Sequence, residues 1–107
     1  MVMRRFTVVL ATLDPTVGSE MRKTRPCLII SPDDLNQHLD TLVVAPMTTG
    51  GHRYRFRVPC RFQGKDGQIA LDQIRTIDRS RIVRSLGTIV ARTQISVLKG
   101  LTKMFSP

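Results

Sequence analysis

Short apolar segments separated by turn residues occupy the first two thirds of the chain. Apolar and β-branched residues run over Phe6–Leu13, and Asp14-Pro15 then ends the pattern. The sequence PCLIIS over Pro26–Ser31 is a continuous apolar run bounded by proline, which is typical of a buried strand. A polar residue followed by proline at the start of Ser31–Gln37 predicts a short helical turn there.

The middle of the chain continues this strand pattern. Pro46 falls late in the third apolar run and predicts a strand end or a bulge. Aromatic or aliphatic residues alternate with arginine in YRFRVPC, which predicts a strand with one core face and one basic face. A turn is expected at Gly64–Gly67. The predicted strands are Thr41–Met47, Tyr54–Cys60, one or two within Gln68–Ile77, and Ile82–Leu86.

The hydrophobic period changes after Gly87 from that of strands to that of a helix. Apolar residues recur every three to four positions at Ile95, Leu98, Leu101 and Phe105. This spacing predicts an amphipathic helix whose apolar stripe packs on the sheet. Val90 offers no side-chain oxygen for an N-cap, so the start of this helix is poorly marked. The predicted fold is mainly β, a small curled sheet or barrel followed by a C-terminal helix.

Composition indicates one small, strongly basic domain. The 107 residues are enough for a single core over 1–107, and 17 Lys and Arg against 8 Asp and Glu give a net charge of +9. Such a surface attracts polyanions. No apolar run approaches the roughly 20 residues of a membrane span. Residues 1–13 lack a cleavage pattern, so we expect a first strand there and not a signal peptide.

The spacing of the cysteines and histidines does not indicate a metal or cofactor site. Cys27 and Cys60 cannot form a zinc quartet, and we expect Cys27 to be a small buried hydrophobe of a reduced, cytoplasmic protein. His38 and His52 fit no ligand spacing, although an acid/base pair of two histidines stays open. We therefore predict no metal site and no cofactor.

The loop over Asp14–Arg25 holds the remaining candidates for chemistry. It places Glu20 and Arg25 directly before a buried strand, and Thr48 supplies a hydroxyl at the end of another. A guanidinium at a strand edge suits two-pronged binding of a phosphate. By composition alone, a solvated surface loop with one ion pair is the favoured interpretation of these residues.

Taken together in order, the motifs resemble the MazF/PemK family of toxin endoribonucleases. The resemblance covers nearly the whole chain, and several motifs in one order are more specific than any single motif. It rests on LDPTVGSE, RKTRP, VAPMT, FRVP, GKDG and LDQIRTIDR, at Leu13–Glu20, Arg22–Pro26, Val44–Thr48, Phe56–Pro59, Gly64–Gly67 and Leu71–Arg79.

The resemblance implies an SH3-like barrel of the CcdB/MazF/PemK type and a homodimer. It implies metal-independent, sequence-specific cleavage of single-stranded RNA, and neutralisation by an acidic antitoxin. Arg25 and Thr48 match the family's catalytic pair, and Glu20 matches its loop glutamate. Ser19, Thr24 and Gln73 fall where such enzymes bind RNA.

The chain departs from the family pattern at two positions outside these residues. Phe6 stands where the family usually has glycine, and Val90 stands where a serine usually caps the helix. These changes bear on strand one, on stability and on dimer geometry more than on catalysis.

Two other functions compete with RNA cleavage. A CcdB-type gyrase poison shares the fold but acts through a C-terminal tail with tryptophan, which this chain lacks. A non-catalytic RNA-binding barrel relies on exposed aromatic rings, and the chain has one Tyr and four Phe. The residues leave the general base and acid open between Glu20, Arg25 and solvent, because a guanidinium with a pKa above about 12 is a poor base.

Overall fold

The computed structural model describes residues 3–107, so Met1 and Val2 at the start of the predicted domain lie outside the described residues. Seven strands form one sheet in the order β4-β5-β3-β2-β1-β7, and β6 pairs with β3 beside this path. The strands are β1 Thr7–Thr12, β2 Thr24–Ile29, β3 Thr41–Thr48, β4 Arg57–Phe62, β5 Lys65–Ala70, β6 Arg75–Asp78 and β7 Ile82–Thr88. The helices are α1 Asp33–His38 and α2 Ala91–Met104, with 3₁₀ turns at Leu71–Gln73 and Arg79–Arg81.

The predicted class, mainly β with a C-terminal helix, is confirmed, and the sheet curls into a half-barrel. Alternate residues of the central strands enter two separate hydrophobic clusters. Leu28 belongs to the cluster that also receives α2, whereas its neighbours Cys27 and Ile29 belong to the other. Because side chains alternate across a strand, a sheet buried on both faces needs continuous apolar runs. This explains the uninterrupted PCLIIS segment.

Pro46 does not end or bulge β3, which continues to Thr48. On one side β3 pairs with β2 throughout this region, including the pair Cys27 and Pro46. On its other side β3 pairs with β6 up to Val44 and with β5 from Met47 onward. Pro46 therefore lies at the change of partner, where a missing N–H costs no ladder hydrogen bond.

The β4–β5 hairpin differs from the prediction at both ends. β4 begins at Arg57 and not at Tyr54, because Arg57 is paired with Ala70 at the end of β5. The turn consists of Gln63 and Gly64 alone, both with positive φ (51° and 76°), so it occupies less than the predicted Gly64–Gly67. Positive φ at both residues matches the right-handed twist of a two-residue hairpin.

The predicted C-terminal helix is present as α2, but its packed face was predicted partly wrongly. Ile95, Leu98 and Phe105 are exposed, whereas Val97 is fully buried and Leu101 is half-buried. The helix carries two apolar stripes, and only the one through Val97 and Leu101 meets the sheet. Val90 precedes α2 without a side-chain cap bond, as predicted. In the part of the chain described here, no helix is long and apolar enough to cross a bilayer.

Phe6 shows what the departure from the family's glycine entails. Its φ is 73°, a left-handed conformation that favours glycine. Its amide N–H donates to the carbonyl of Ile29 at 2.7 Å, and its ring is buried in the cluster that receives α2. The buried ring and the backbone hydrogen bond offset the cost of this conformation.

Candidate active site

Arg25 and Thr48 are brought together by the pairing of β2 with β3. Cys27 pairs with Pro46 in this antiparallel ladder. The ladder ends at this pair, two residues from Arg25 on β2 and two residues from Thr48 on β3, and Arg25 Nη1 lies 3.5 Å from the carbonyl of Met47, the neighbour of Thr48. The local fold therefore positions two residues that are 23 positions apart in the chain.

The guanidinium of Arg25 is held by backbone carbonyls. Its Nε donates to the carbonyl of Arg22 at 3.0 Å, and its Nη1 lies 3.5 Å from the carbonyl of Met47. The two ion pairs found among residues 3–107 are Arg57–Asp72 and Arg61–Asp66. Neither includes Arg25, so its positive charge is available to an anionic ligand.

Thr48 ends β3 at the mouth of a cavity of about 230 Å³. The cavity has mixed walls: Thr48 and Thr49 supply hydroxyl groups, and Pro26, Met47 and Phe62 supply apolar surface. On its other side Thr48 pairs with Gln68 of β5. This pairing holds its backbone, while its side chain is half-exposed.

Glu20, Ser19 and Gln73 form a second group beside the first. They line a second cavity, of about 370 Å³, whose wall also includes Pro46 of β3. Glu20 closes its own loop, since its Oε1 accepts the N–H of Val17 at 2.6 Å. Among residues 3–107 its side chain thus bonds to this amide and not to Arg25.

The loop after β1 is anchored along its length. Gln73 Oε1 accepts the N–H of Met21 at 3.3 Å, which ties the loop to the first 3₁₀ turn. Arg75 donates to the carbonyl of Leu13 at 3.2 Å, and Arg81 donates to that of Asp14 at 2.6 Å. Sequence reasoning did not assign these arginines a role, although both lie in or directly after the conspicuous LDQIRTIDR segment.

Thr24 lies at the start of β2, next to the same loop. Its hydroxyl oxygen is 3.2 Å from that of Thr12, its partner in the β1–β2 ladder. Such a pair of hydroxyls ties the two strand ends together where the loop leaves the sheet. Thr24 is exposed, so it is accessible to a ligand lying along the loop.

The two histidines do not share contacts. His38 ends α1, where its Nδ1 is 2.6 Å from the carbonyl of Asp34, and His52 packs against Tyr54. Over residues 3–107, no three side chains of His, Cys, Asp and Glu are grouped as a metal ion would need.

Cys27 is fully buried, as predicted, and burial raises the pKa of its thiol to about 12 although Arg25 and Arg75 oppose the shift. A thiol that stays protonated at neutral pH is a poor nucleophile. The cysteine beside Arg25 therefore has a packing role.

Comparison with known proteins settles the family. Residues 4–105 match the family described as PemK-like, MazF-like toxin of type II toxin-antitoxin system. The chain belongs to this family. Endoribonuclease MazF of Staphylococcus saprophyticus subsp. saprophyticus is 37% identical over 92 residues, which cover 78% of this chain and 75% of the relative. Endoribonuclease MazF of Staphylococcus epidermidis is 34% identical over 100 residues, covering 88% and 83%.

Solved structures place this MazF-like toxin in the same fold. MazF from Deinococcus radiodurans superposes with a TM-score of 0.86 at 26% identity, covering 97% of this chain and 96% of that one. A mycobacterial endoribonuclease, solved in complex with its cognate antitoxin, gives a TM-score of 0.81 at 21% identity and covers 98% and 97%. At that identity the likeness concerns the fold alone.

Sequence reasoning did not assign several other residues of this MazF-like toxin to the site. Gly67 of β5 passes so close to Thr48 that a Cβ atom would lie 2.3 Å from the Thr48 carbonyl oxygen. Gln68 is buried, and Tyr54 is exposed although the alternating pattern placed it in a strand. These features depend on which strands become neighbours, and local pattern does not reveal that.

Proposed function

We propose that this MazF-like endoribonuclease cleaves single-stranded RNA at a short specific sequence without a metal ion. The observation that carries the proposal is the position of Arg25: it has no carboxylate partner among residues 3–107, and its Nη1 lies 3.5 Å from the carbonyl of Met47, which precedes Thr48 at an open cavity. Two donors at one place suit the charge of a phosphodiester. Its products are a 2′,3′-cyclic phosphate and a 5′-hydroxyl.

The chemistry uses the 2′-hydroxyl of the substrate as nucleophile. Its oxygen attacks phosphorus and loses its proton, and the bond to the 5′ oxygen breaks as that oxygen gains a proton. Arg25 and Thr48 donate hydrogen bonds to the phosphate oxygens, where negative charge grows in the transition state. Two carboxylates line the second cavity, and because Asp72 is paired with Arg57, we assign proton transfer to Glu20.

RNA is proposed to run across both cavities. Ser19 and Gln73 border the Glu20 cavity, and Thr24 is exposed at the edge of β2. Their hydroxyl and amide groups can each exchange hydrogen bonds with base edges or phosphate oxygens. The net charge of +9 supports binding of a polyanion along this path.

Two protein partners and a location complete the proposal. An acidic antitoxin is proposed to occupy the RNA path, where the basic surface favours its carboxylates. A second copy of the chain is proposed to cover apolar side chains that α2 and the edge strand β7 expose. These are Val83, Val90, Ile95, Leu98 and Phe105. We propose that residues 1–107 act as a single domain in the cytoplasm, where RNA is at hand.

The test is cleavage of a long end-labelled RNA with EDTA present. The wild-type protein should produce discrete cuts, and Arg25→Ala should lower kcat by about 10²-fold or more, the scale for losing one transition-state donor. Arg22→Ala is the matched control, because it removes the same charge from the same loop and keeps the carbonyl that binds Arg25.

Each other result refutes part of the proposal. Near-wild-type cleavage by Arg25→Ala would remove its assigned role, and dependence on added Mg²⁺ would contradict metal independence. A gel shift without cuts would indicate a non-catalytic RNA-binding barrel. No effect on RNA at all would favour a gyrase poison.

A further inference from the structure

The loop between β3 and β4 presents aromatic and basic side chains on the surface. Tyr54 is 57% exposed, although it contacts two other side chains. The ring of His52 lies at 63° to it with centroids 6.0 Å apart, and the Arg57 guanidinium carbon is 5.1 Å from the Tyr54 ring centroid. We call His52, Tyr54 and the guanidinium of Arg57 the aromatic platform.

One end of the platform is attached to the Glu20 cavity. Both Nε and Nη2 of Arg57 donate to the carboxylate of Asp72 at 2.9 Å, which holds the guanidinium in one orientation. Asp72 lines the cavity shared by Glu20 and Gln73. The arginine that backs Tyr54 is therefore joined directly to the proposed RNA path.

The other end of the platform is attached to the partner of Thr48. Gln68 pairs with Thr48 in the β3–β5 ladder and is 7% exposed. Its Nε2 lies 3.4, 3.3 and 3.2 Å from the carbonyls of Gly50, Gly51 and His52. The backbone that carries His52 is thus fixed relative to Thr48.

A basic cleft continues from the platform along the surface. Arg53 and Arg57 line an open cleft of about 980 Å³, and Arg61 and Arg92 form other parts of its walls. Ser96 of α2 adds a hydroxyl group. Arg57 and Arg61 are paired with Asp72 and Asp66, whereas Arg53 and Arg92 have no carboxylate partner among residues 3–107. These two can each neutralise a phosphate and release its counterion.

We propose that the aromatic platform stacks an unpaired base of the RNA, and that the basic cleft carries the adjoining phosphates. The inference rests on the proposed function and extends the RNA path beyond its cavities. An exposed ring with a guanidinium on one face presents a flat surface to a base, and such stacking is how single strands are bound. An acidic peptide would use the arginines but would leave the ring without a partner.

Intrinsic fluorescence tests this contact directly, because Tyr54 is the only tyrosine and the chain has no tryptophan. A short 2′-O-methyl RNA of mixed sequence is titrated, since it lacks the nucleophile and cannot be cleaved. Binding is followed in parallel by the anisotropy of a dye on the RNA, and N-acetyltyrosinamide corrects for absorption. Stacking should quench most of the tyrosine emission at saturation. Full binding with unchanged emission would overturn the proposal.

Variants then measure the contribution of the ring to binding. Tyr54→Ala should raise the Kd for RNA about 10-fold, which is within the range measured for the loss of one stacked base. Tyr54→Phe keeps the ring and should stay within about 2-fold of wild type. Equal affinity for all three proteins would refute stacking. Thermal unfolding of each variant checks that the loop change leaves the fold intact.

An abasic scan identifies the stacked nucleotide. A set of RNAs, each lacking the base at one position, is titrated. At one position the missing base should weaken binding to the wild-type protein, and the same RNA should bind Tyr54→Ala about as well as the complete RNA does. Equal losses in both proteins at every position would refute the contact. Quenching by polyglutamate but not by RNA would assign the platform to a protein partner and overturn the inference. If the wild-type protein does not cleave RNA but its tyrosine emission is still quenched, the proposed function is refuted and the stacking inference stands.

Discussion

Substituting Gly67 by alanine tests how the fold positions Thr48. The added Cβ would lie 2.3 Å from the Thr48 carbonyl oxygen and 3.4 Å from the Thr49 Cα. Ordinary contacts between carbon and carbonyl oxygen are about 3.3 Å or longer, so the strands must separate by roughly 1 Å. Both neighbouring atoms belong to the backbone, and no side-chain rotation can relieve the overlap.

The expected loss is larger in catalysis than in stability. A misplacement of about 1 Å at a reacting group can cost about 10²-fold in rate. Overpacking of this kind costs about 1–3 kcal/mol of unfolding free energy, which leaves a typical small domain folded. We therefore expect Gly67→Ala to be folded at low temperature and to have a strongly reduced kcat.

Two other glycines supply matched controls for this experiment. At Gly50, in the loop after Thr48, a Cβ meets nothing within 4 Å. At Gly100 it would lie 2.7 Å from Cδ1 of Leu71, the end of a flexible side chain that can move aside. Single-turnover cleavage and thermal unfolding are measured for all three alanine variants. Wild-type kcat in Gly67→Ala, or an equal loss in Gly100→Ala, would refute the positioning of Thr48 by β5.

Two further predictions concern titratable groups. The Arg57 guanidinium lowers the pKa of Asp72. The ion pair therefore stabilises the fold at any pH above the ordinary carboxyl pKa, and this stabilisation is lost as the pH falls through the lowered pKa. In urea titrations, Asp72→Asn should lower the free energy of unfolding by about 1 kcal/mol at neutral pH and leave it unchanged near pH 2. An equal loss of unfolding free energy at both pH values would contradict this. Burial raises the pKa of both thiols, but Cys60 is only half-buried, so Ellman's reagent should label Cys60 first and Cys27 only on unfolding. Rapid labelling of Cys27 in Cys60→Ser would refute its burial.

The sequence was sufficient for the central strands because both of their faces are buried. Continuous apolar runs then mark β2 and β3, and the change of period marks α2. The packed face of α2 was mistaken because Ile95 and Leu98, three residues apart, and Val97 and Leu101, four residues apart, both have helical spacing. Periodicity predicts that a helix has an apolar stripe, but it does not predict which of two stripes packs against the sheet.

The candidate site was predictable only in part for a similar reason. Arg25 and Thr48 were found through motifs, and the ladder between β2 and β3 explains why they meet. Tyr54 was placed in a strand, but β4 begins only where Ala70 offers a partner to Arg57. Contacts such as Gln68 with the carbonyl of His52 join segments that no local pattern connects.

The way Arg25 is held bears on how this surface tolerates sequence change. Its guanidinium donates to the main-chain carbonyls of Arg22 and Met47, and every amino acid carries such a carbonyl. Substitutions at these two positions therefore leave its acceptors in place as long as the backbone keeps its path. Substitutions around Arg25 therefore need no compensating mutation, because the path of the backbone determines the orientation of its guanidinium.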